Sequence, residues 1–204
     1  MRKAGHGASR REFIAAGGSI VLAFALQPGG APAQPVSDGA DLTREPKLPA
    51  SLARSPRLDS WIRLHADGRI EVCTGKVELG QGIRTALIQV AAEGLQVAPR
   101  RIALVTADTA RTPDERYTAG SQSMQDSASA ILAAATQVRE LLLEMASSRL
   151  GVEAGRLGAA DGTISAPDGR SIAYAELAAG ADLKVEARAS SPLDRTPRKY
   201  IGKA

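Results

Sequence analysis

The chain has 204 residues, 44% hydrophobic, 24% charged and 3% aromatic, enough apolar material for one well-packed domain and too little length for two large ones. Two Phe, three Tyr and one Trp leave almost no platforms on which unstacked bases could sit, which argues against a single-strand nucleic-acid binder. One cysteine, Cys73, and two histidines, His6 and His65, exclude an internal disulfide, a cysteine-ligated iron–sulfur cluster and a self-contained zinc site of familiar spacing.

The net charge of +4 is a property of the first residues. Arg2, Lys3, Arg10 and Arg11 stand against Glu12 alone up to Ala33, and the rest of the chain holds 22 basic and 21 acidic residues. The basicity therefore belongs to a leader and marks no polyanion-binding face. Ser9-Arg10-Arg11-Glu12-Phe13-Ile14 sets a twin arginine before an apolar run, Ile14 to Leu26, and Ala31-Pro32-Ala33 gives a cleavage site. The run of about 13 residues contains Gly17-Gly18 and falls short of the ~20 residues a spanning helix needs. Residues 1–33 are thus expected to be a twin-arginine export signal cut after Ala33, with an uncleaved membrane anchor as the alternative. The expected location is periplasmic, with membrane association as a variant. This route carries proteins already folded, commonly around a complex cofactor, and an exported chain without cysteine pairs must be held by packing.

Residues 34–58 are rich in Pro, Ser and small polar residues without apolar periodicity and read as a linker or extended arm, so the folded part is expected to begin near Asp59. Trp61 to His65 and Ile70 to Cys73 flank Asp67-Gly68, a hairpin signal. Gly75-Lys76-Val77-Glu78-Leu79-Gly80-Gln81-Gly82 is a glycine-rich loop entering a helix over 83–97, where Ile83, Leu87, Val90, Ala91 and Leu95 recur at helical spacing. Pro99 stops it, and 101–107 reads as a returning strand. A second loop, 108–121, leads into the longest helix, 123–150, with Ile131, Leu132, Ala135, Val138, Leu142 and Met145 as its stripe and alanines giving a thin face. Gly151 closes it. Asp161-Gly162 and Pro167-Asp168-Gly169 then suggest one small hairpin, 173–180 a short helix, and 190–204 a linker. The expected class is α+β, a small mixed or antiparallel sheet packed with two long helices, over 59–189.

Two loops concentrate the chemistry: Glu78 to Gly82 before the first long helix, and Tyr117-Thr118-Ala119-Gly120-Ser121-Gln122-Ser123 before the second. A helix start presents unpaired N–H groups and the positive end of a dipole, both of which attract an anion. Glycines let a ligand approach the backbone, while Thr118, Ser121 and Ser123 add hydroxyls and Gln81 an untitratable amide. The competing reading is structural, with Ser as an ordinary N-cap and the glycines as an ordinary turn. Thr85 stands where a dinucleotide fingerprint needs its third glycine, and no Gly-Lys-Ser/Thr occurs, so nucleoside triphosphates are disfavoured. Cys73 reads as a small buried thiol, His65 as a surface residue beside the turn, and Glu78 as a solvated or capping carboxylate with catalysis as the minor alternative.

Taken together, Gly75-Lys-Val-Glu-Leu-Gly-Gln-Gly-Ile-Arg-Thr-Ala-Leu and, some thirty residues later, Tyr117-Thr-Ala-Gly-Ser-Gln-Ser before an alanine-rich helix resemble the molybdopterin-binding subunit of the xanthine dehydrogenase and aldehyde oxidase family. Within it they are similar to the exported branch of isoquinoline 1-oxidoreductase beta subunits and membrane-associated aldehyde dehydrogenases. The resemblance covers roughly 58–204. It implies molybdenum held by a pyranopterin, in a cytosine dinucleotide form, and hydroxylation of an aldehyde or N-heterocycle with oxygen from water. By the same resemblance Gly80, Gln81 and Gly82 contact the cofactor, and Thr118, Gly120, Ser121, Gln122 and Ser123 hold its phosphate end.

The resemblance also implies what this segment lacks. The family's general-base glutamate and a hammerhead-like domain lie further along a much longer subunit, so no catalytic residue and no metal ligand is expected here. The expected partners are that C-terminal part, a small [2Fe–2S] subunit and a cytochrome c subunit. The expectation is an N-terminal cofactor-binding portion of a molybdenum hydroxylase large subunit, inactive alone, with a catalytically inactive exported binding or assembly module, or a solute-binding domain, as rivals.

Overall fold

In the computed structural model, residues 47–179, 183–189 and 198–202 are described. The expected signal peptide and the first part of the arm lie outside them. The hairpin forms as the Asp67-Gly68 turn demands: β1 (Ile62–Leu64) pairs antiparallel with β2 (Ile70–Thr74), and Gly68 takes the left-handed φ of 84° at the turn. β2 is then joined in parallel by β3 (Ile102–Thr106), with Ile70 opposite Ile102 and Thr74 opposite Thr106. The crossover between them is α1 (Ile83–Leu95), the helical connection a parallel pair requires. Its terminus falls two residues earlier than the apolar periodicity suggests, because Gln96 turns left-handed at φ 55°.

The long helix begins with a π turn, Ser123–Ala128, and continues as α2 (Ser129–Leu150) until Gly151 caps it at φ 66°. The expected stripe is buried except for Met145, which is only partly so, while Ala130, Ala134 and Ala146 are fully covered. The thin face lets α1 and α2 touch closely: a Cβ on Gly94 would lie 2.6 Å from that of Ala135. Each Leu or Ile enclosed here contributes roughly 1.5–3 kcal/mol by leaving water.

Three expectations are corrected. The arm is not free to its end, because a short helix, Ala50–Arg54, buries Leu52, Leu58 is 1% exposed, and the Trp61 indole donates to the Ser55 carbonyl at 2.8 Å. The small hairpin is a three-stranded antiparallel sheet, β4 (Gly158–Ala160), β5 (Thr163–Ser165) and β6 (Ser171–Ala173), whose two turns are the two Asp-Gly signals. Its first strand, Gly-Ala-Ala, carries none of the β-branched or aromatic residues that mark a strand. The short helix that follows is α3 (Tyr174–Ala178). Lastly, within 198–202 the supposed linker is anchored: the N–H groups of Lys199, Tyr200 and Ile201 converge on the Glu93 carboxylate at 2.8–3.3 Å. Among the described residues no helix is long and apolar enough to cross a membrane.

Candidate functional site

Parallel strands open their carboxyl ends on the same side, where ligands of α/β sheets gather. Both predicted loops depart from that edge, residues 75–82 after Thr74 of β2 and residues 107–122 after Thr106 of β3.

The first loop closes on itself. Glu78 Oε1 accepts the N–H groups of Gly80 at 2.8 Å and Gly82 at 3.0 Å, and its Oε2 accepts that of Arg84 at 3.0 Å. These bonds, led by that from Arg84, hold the Glu78 carboxyl below its ordinary range. The anion expected at this helix start is therefore the protein's own: Glu78 is a capping carboxylate. Gln81 is also engaged, its Oε1 accepting the Leu79 N–H at 2.5 Å and its Nε2 donating to the Val77 carbonyl at 2.9 Å. An amide has two donors and two lone pairs, so one of each remains. Gly80 and Gly82 have φ of 92° and 76°, and a Cβ on either would meet nothing within 4 Å. Backbone conformation fixes these glycines, and their outer face is open.

The second loop has a buried root and an exposed tip. At the root, Glu115 and Lys76 are each 1% exposed. The Glu115 carboxylate accepts the Thr74 hydroxyl at 2.5 Å, the Gly75 N–H at 2.9 Å and the Ser127 hydroxyl. Lys76 Nζ donates to the carbonyls of Glu115 at 2.7 Å and Tyr117 at 3.0 Å. A further stitch runs from the Val77 N–H to Thr118 Oγ1 at 2.9 Å, so the two loops lie side by side. At the tip Gly120 and Ser121 are both left-handed, at φ 61° and 60°. Ser123 is not the N-cap: Gln122 takes that place, without a side-chain cap bond, and the helix starts as a π turn. Among the described residues the side chains of Ser121, Gln122 and Ser123 make no hydrogen bond.

Val77, Leu79, Tyr117 and Met124 are four of the five large apolar side chains exposed among the described residues, Leu79 at 71% and Tyr117 at 70%. Val77 and Leu79 lie on the first loop, Tyr117 on the second, and Met124 in the π turn that follows it. Such clustering at one place marks a binding surface more than scatter does. A half-open cavity of about 590 Å³ lies beside the root, lined by Gly75, Val77, Thr109, Thr112, Asp114 and Arg116 among others. It contains none of the eight residues assigned to the cofactor by resemblance.

The isolated candidates resolve differently. Burial above all pushes the Cys73 thiol up to about 11, leaving it protonated and inert at neutral pH. His65 does not simply face solvent, since its Nε2 is buried without a hydrogen-bond partner among the described residues and lies 3.9 Å from Glu71. Glu71 is 5% exposed and held by Arg63 and Arg111, each at 2.8 Å. Burial opposes its ionisation, but the two guanidiniums prevail and lower its pKa. Sequence reasoning does not single out Lys76, Glu115 or Glu71, because charged residues ordinarily stay in water. The one available signal is the crowding of Thr74-Gly75-Lys76, small and charged together, at the end of an apolar strand.

A profile of the molybdopterin cofactor-binding domain family matches residues 42–200. The chain belongs to that family. A nicotinate dehydrogenase subunit of Pseudomonas putida is 31% identical over 185 residues, covering 91% of this chain and 15% of that protein. The beta subunit of isoquinoline 1-oxidoreductase from Brevundimonas diminuta is 31% identical over 183 residues, covering 86% of this chain and 22% of that protein. Among solved structures, the Cu,Mo-CO dehydrogenase superposes with a TM-score of 0.50 at 25% identity, over 57% of this chain and 15% of that one. The chain thus spans only 15–22% of the length of these relatives. The family implied by the two loops is the one found, and the mixed architecture of helices and small sheets is shared with molybdenum hydroxylase large subunits.

The residues of this molybdopterin cofactor-binding domain suit a phosphate-bearing pterin. Among the described residues, the second loop offers unpartnered hydroxyls on Ser121 and Ser123 beside a helix start that no side chain caps, and a Cβ at Gly120 would meet nothing within 4 Å. The first loop offers the remaining capacity of the Gln81 amide on a rigid, preformed turn.

Proposed function

We propose that this chain is the cofactor-binding part of a molybdenum hydroxylase large subunit that oxidises an N-heterocycle or an aldehyde. The names of the two relatives, acting on nicotinate and isoquinoline, favour the N-heterocycle. In this reading the bound molybdenum–pterin group supplies two-electron oxidation at carbon with oxygen from water. The chain's own residues bind and orient. Ser121 and Ser123 hydroxyls, with the backbone N–H groups of the Gly120–Ser121 turn, hold the phosphate end, and Thr118 keeps its proton free to donate while its oxygen accepts from Val77. Gln81 orients the pterin through its unused donor and acceptor, and Gly80 and Gly82 admit it to the backbone. Glu78 keeps that turn in shape and takes no part in proton transfer. Leu79 and Tyr117 exclude water from the loops once the rest of the enzyme lies over them.

The proposal extends to a cytosine dinucleotide form of the cofactor, a catalytic glutamate on another part of the large subunit, and electron exit to a [2Fe–2S] partner. Ser9-Arg10-Arg11 and the apolar run behind it support export of the folded protein to the periplasm by the twin-arginine route. One observation carries the reading: two loops from adjacent parallel strand ends, stitched by Val77 and Thr118, present an unpartnered polar tip. The test is the pterin and molybdenum content of the chain produced with the remaining large-subunit region and small subunit in a host that makes the cofactor. About one pterin per chain, releasing a cytosine nucleotide on acid hydrolysis, is the expected result. Absence of pterin in every combination overturns the proposal.

A further inference from the structure

The geometry points to Glu115 as the positioning residue that sets the two cofactor loops against each other, with Lys76 as its counterpart. Neither lies at the loop tips, and this inference rests on the cofactor reading above. Its basis is the number of separate segments that one carboxylate joins. Glu115 reaches the end of β2 through Thr74, the start of the first loop through the Gly75 N–H, and the π turn that opens the long helix through Ser127. Lys76 reaches back from the first loop to two carbonyls of the second, those of Glu115 and Tyr117. Each side chain therefore originates in one loop and ends in the other.

A buried carboxylate and a buried ammonium are costly unless every polar atom is used. Here three donors converge on an acceptor that has no proton to give when ionised, and the ammonium meets two carbonyls. Stability alone would be served by apolar residues of similar volume. What an apolar pair cannot supply is direction: the bonds fix where Tyr117 and Thr118 sit relative to Val77, just before Gly120 in one loop and Gly80 in the other. Glu115 also fixes Ser127 relative to β2, and with it the π turn that carries Ser123. Packing supports the same register. A Cβ on Gly75 would lie 2.5 Å from the Pro113 carbonyl and 3.1 Å from the Glu115 nitrogen, so the loops can approach this closely only at a glycine.

The test uses the full chain carrying Glu115→Ala, Glu115→Gln or Ser127→Ala. Hydrogen exchange on the purified chains is read over residues 75–82 and 117–123, with the amides of α1 and α2 as the reference. Loss of the carboxylate should accelerate exchange in both loops by about tenfold while the reference amides keep their protection. Glu115→Gln can still accept from Thr74 and Gly75 and donate to Ser127, so it should restore most of the protection. With the partner subunits present, pterin bound per folded chain should fall about tenfold in Glu115→Ala and recover in Glu115→Gln.

Unchanged exchange in the first loop, or pterin per folded chain equal to wild type in Glu115→Ala, overturns the inference. Should Glu115→Ala not fold, Ser127→Ala decides by the same two readouts, with smaller changes in the same direction. A wild-type chain that never acquires pterin defeats the cofactor reading, while the exchange measurement still decides whether Glu115 couples the loops.

Discussion

The two loops do the same work at the sheet edge by opposite means. In the first, nearly every polar group is turned inward: Glu78 gathers three N–H groups and Gln81 bridges Leu79 and Val77. In the second, the root is fastened by Glu115 and Lys76 while the tip, Ser121 to Ser123, leaves its side chains unpartnered among the described residues. A loop that satisfies its own groups has one shape before any ligand arrives. A loop with free hydroxyls on a fastened root keeps its bonding capacity for a ligand at little cost in ordering. The pairing of a preformed wall with an unsatisfied one is what an anionic cofactor of many polar atoms requires.

Substitutions can sharpen that contrast. The largest effect is expected at the root: Gly75→Ala pushes a methyl into the Pro113 carbonyl and should lower unfolding stability by about 3 kcal/mol in denaturant titrations. Gly80→Ala, with open space around it and only its φ of 92° to strain, should cost about 1 kcal/mol. Equal effects would break the distinction between root and tip. Thr118→Val removes the acceptor of the Val77 N–H and should cost about 1 kcal/mol in the same titrations, with faster exchange at Val77.

Acid bears directly on the carboxylate that closes the first loop. Glu78 and Glu93 both have folded pKa values lowered below their ordinary 4.5, Glu78 by the N–H groups of Arg84, Gly82 and Gly80, and Glu93 because its burial, the largest single effect and an opposing one, is outweighed by the N–H groups of Tyr200, Lys199 and Ile201 together. Their contributions are complete above that ordinary value and are lost as the pH falls through the lower folded value. Between neutral pH and about 5, exchange at residues 79–84 and 199–201 should be constant after correction for intrinsic rates, and protection should then fall in acid. The smallest expected effect on folding is at the tip, where Ser121→Ala and Ser123→Ala should change stability by less than about 0.5 kcal/mol while reducing bound pterin in the assembled enzyme.

Much of this is legible in the sequence, and the exceptions share a cause. The Asp67-Gly68 hairpin, the crossover helix and the alanine-faced long helix follow from turn chemistry and apolar period, which are local. The pair of loops is legible as a motif because glycine and hydroxyl residues precede both helices. Leu52 and Leu58 are hidden between and beyond Pro49 and Pro56, and β4 is hidden because Gly-Ala-Ala has no strand preference of its own and is held by pairing with β5. Glu115 and Lys76 are not legible, since burial of a charge depends on partners some forty residues away. The anchoring of Lys199 to Ile201 by Glu93 spans more than a hundred residues, and no local pattern announces it.

The central claim is that both loops touch the same cofactor. Hydrogen-exchange footprinting of the assembled enzyme with and without its pterin tests this most directly. The account predicts added protection at residues 79–82 and at 118–123 together, with the β4–β6 sheet unchanged. Protection confined to one loop, or falling instead around the cavity lined by Thr109, Thr112 and Arg116, would contradict it.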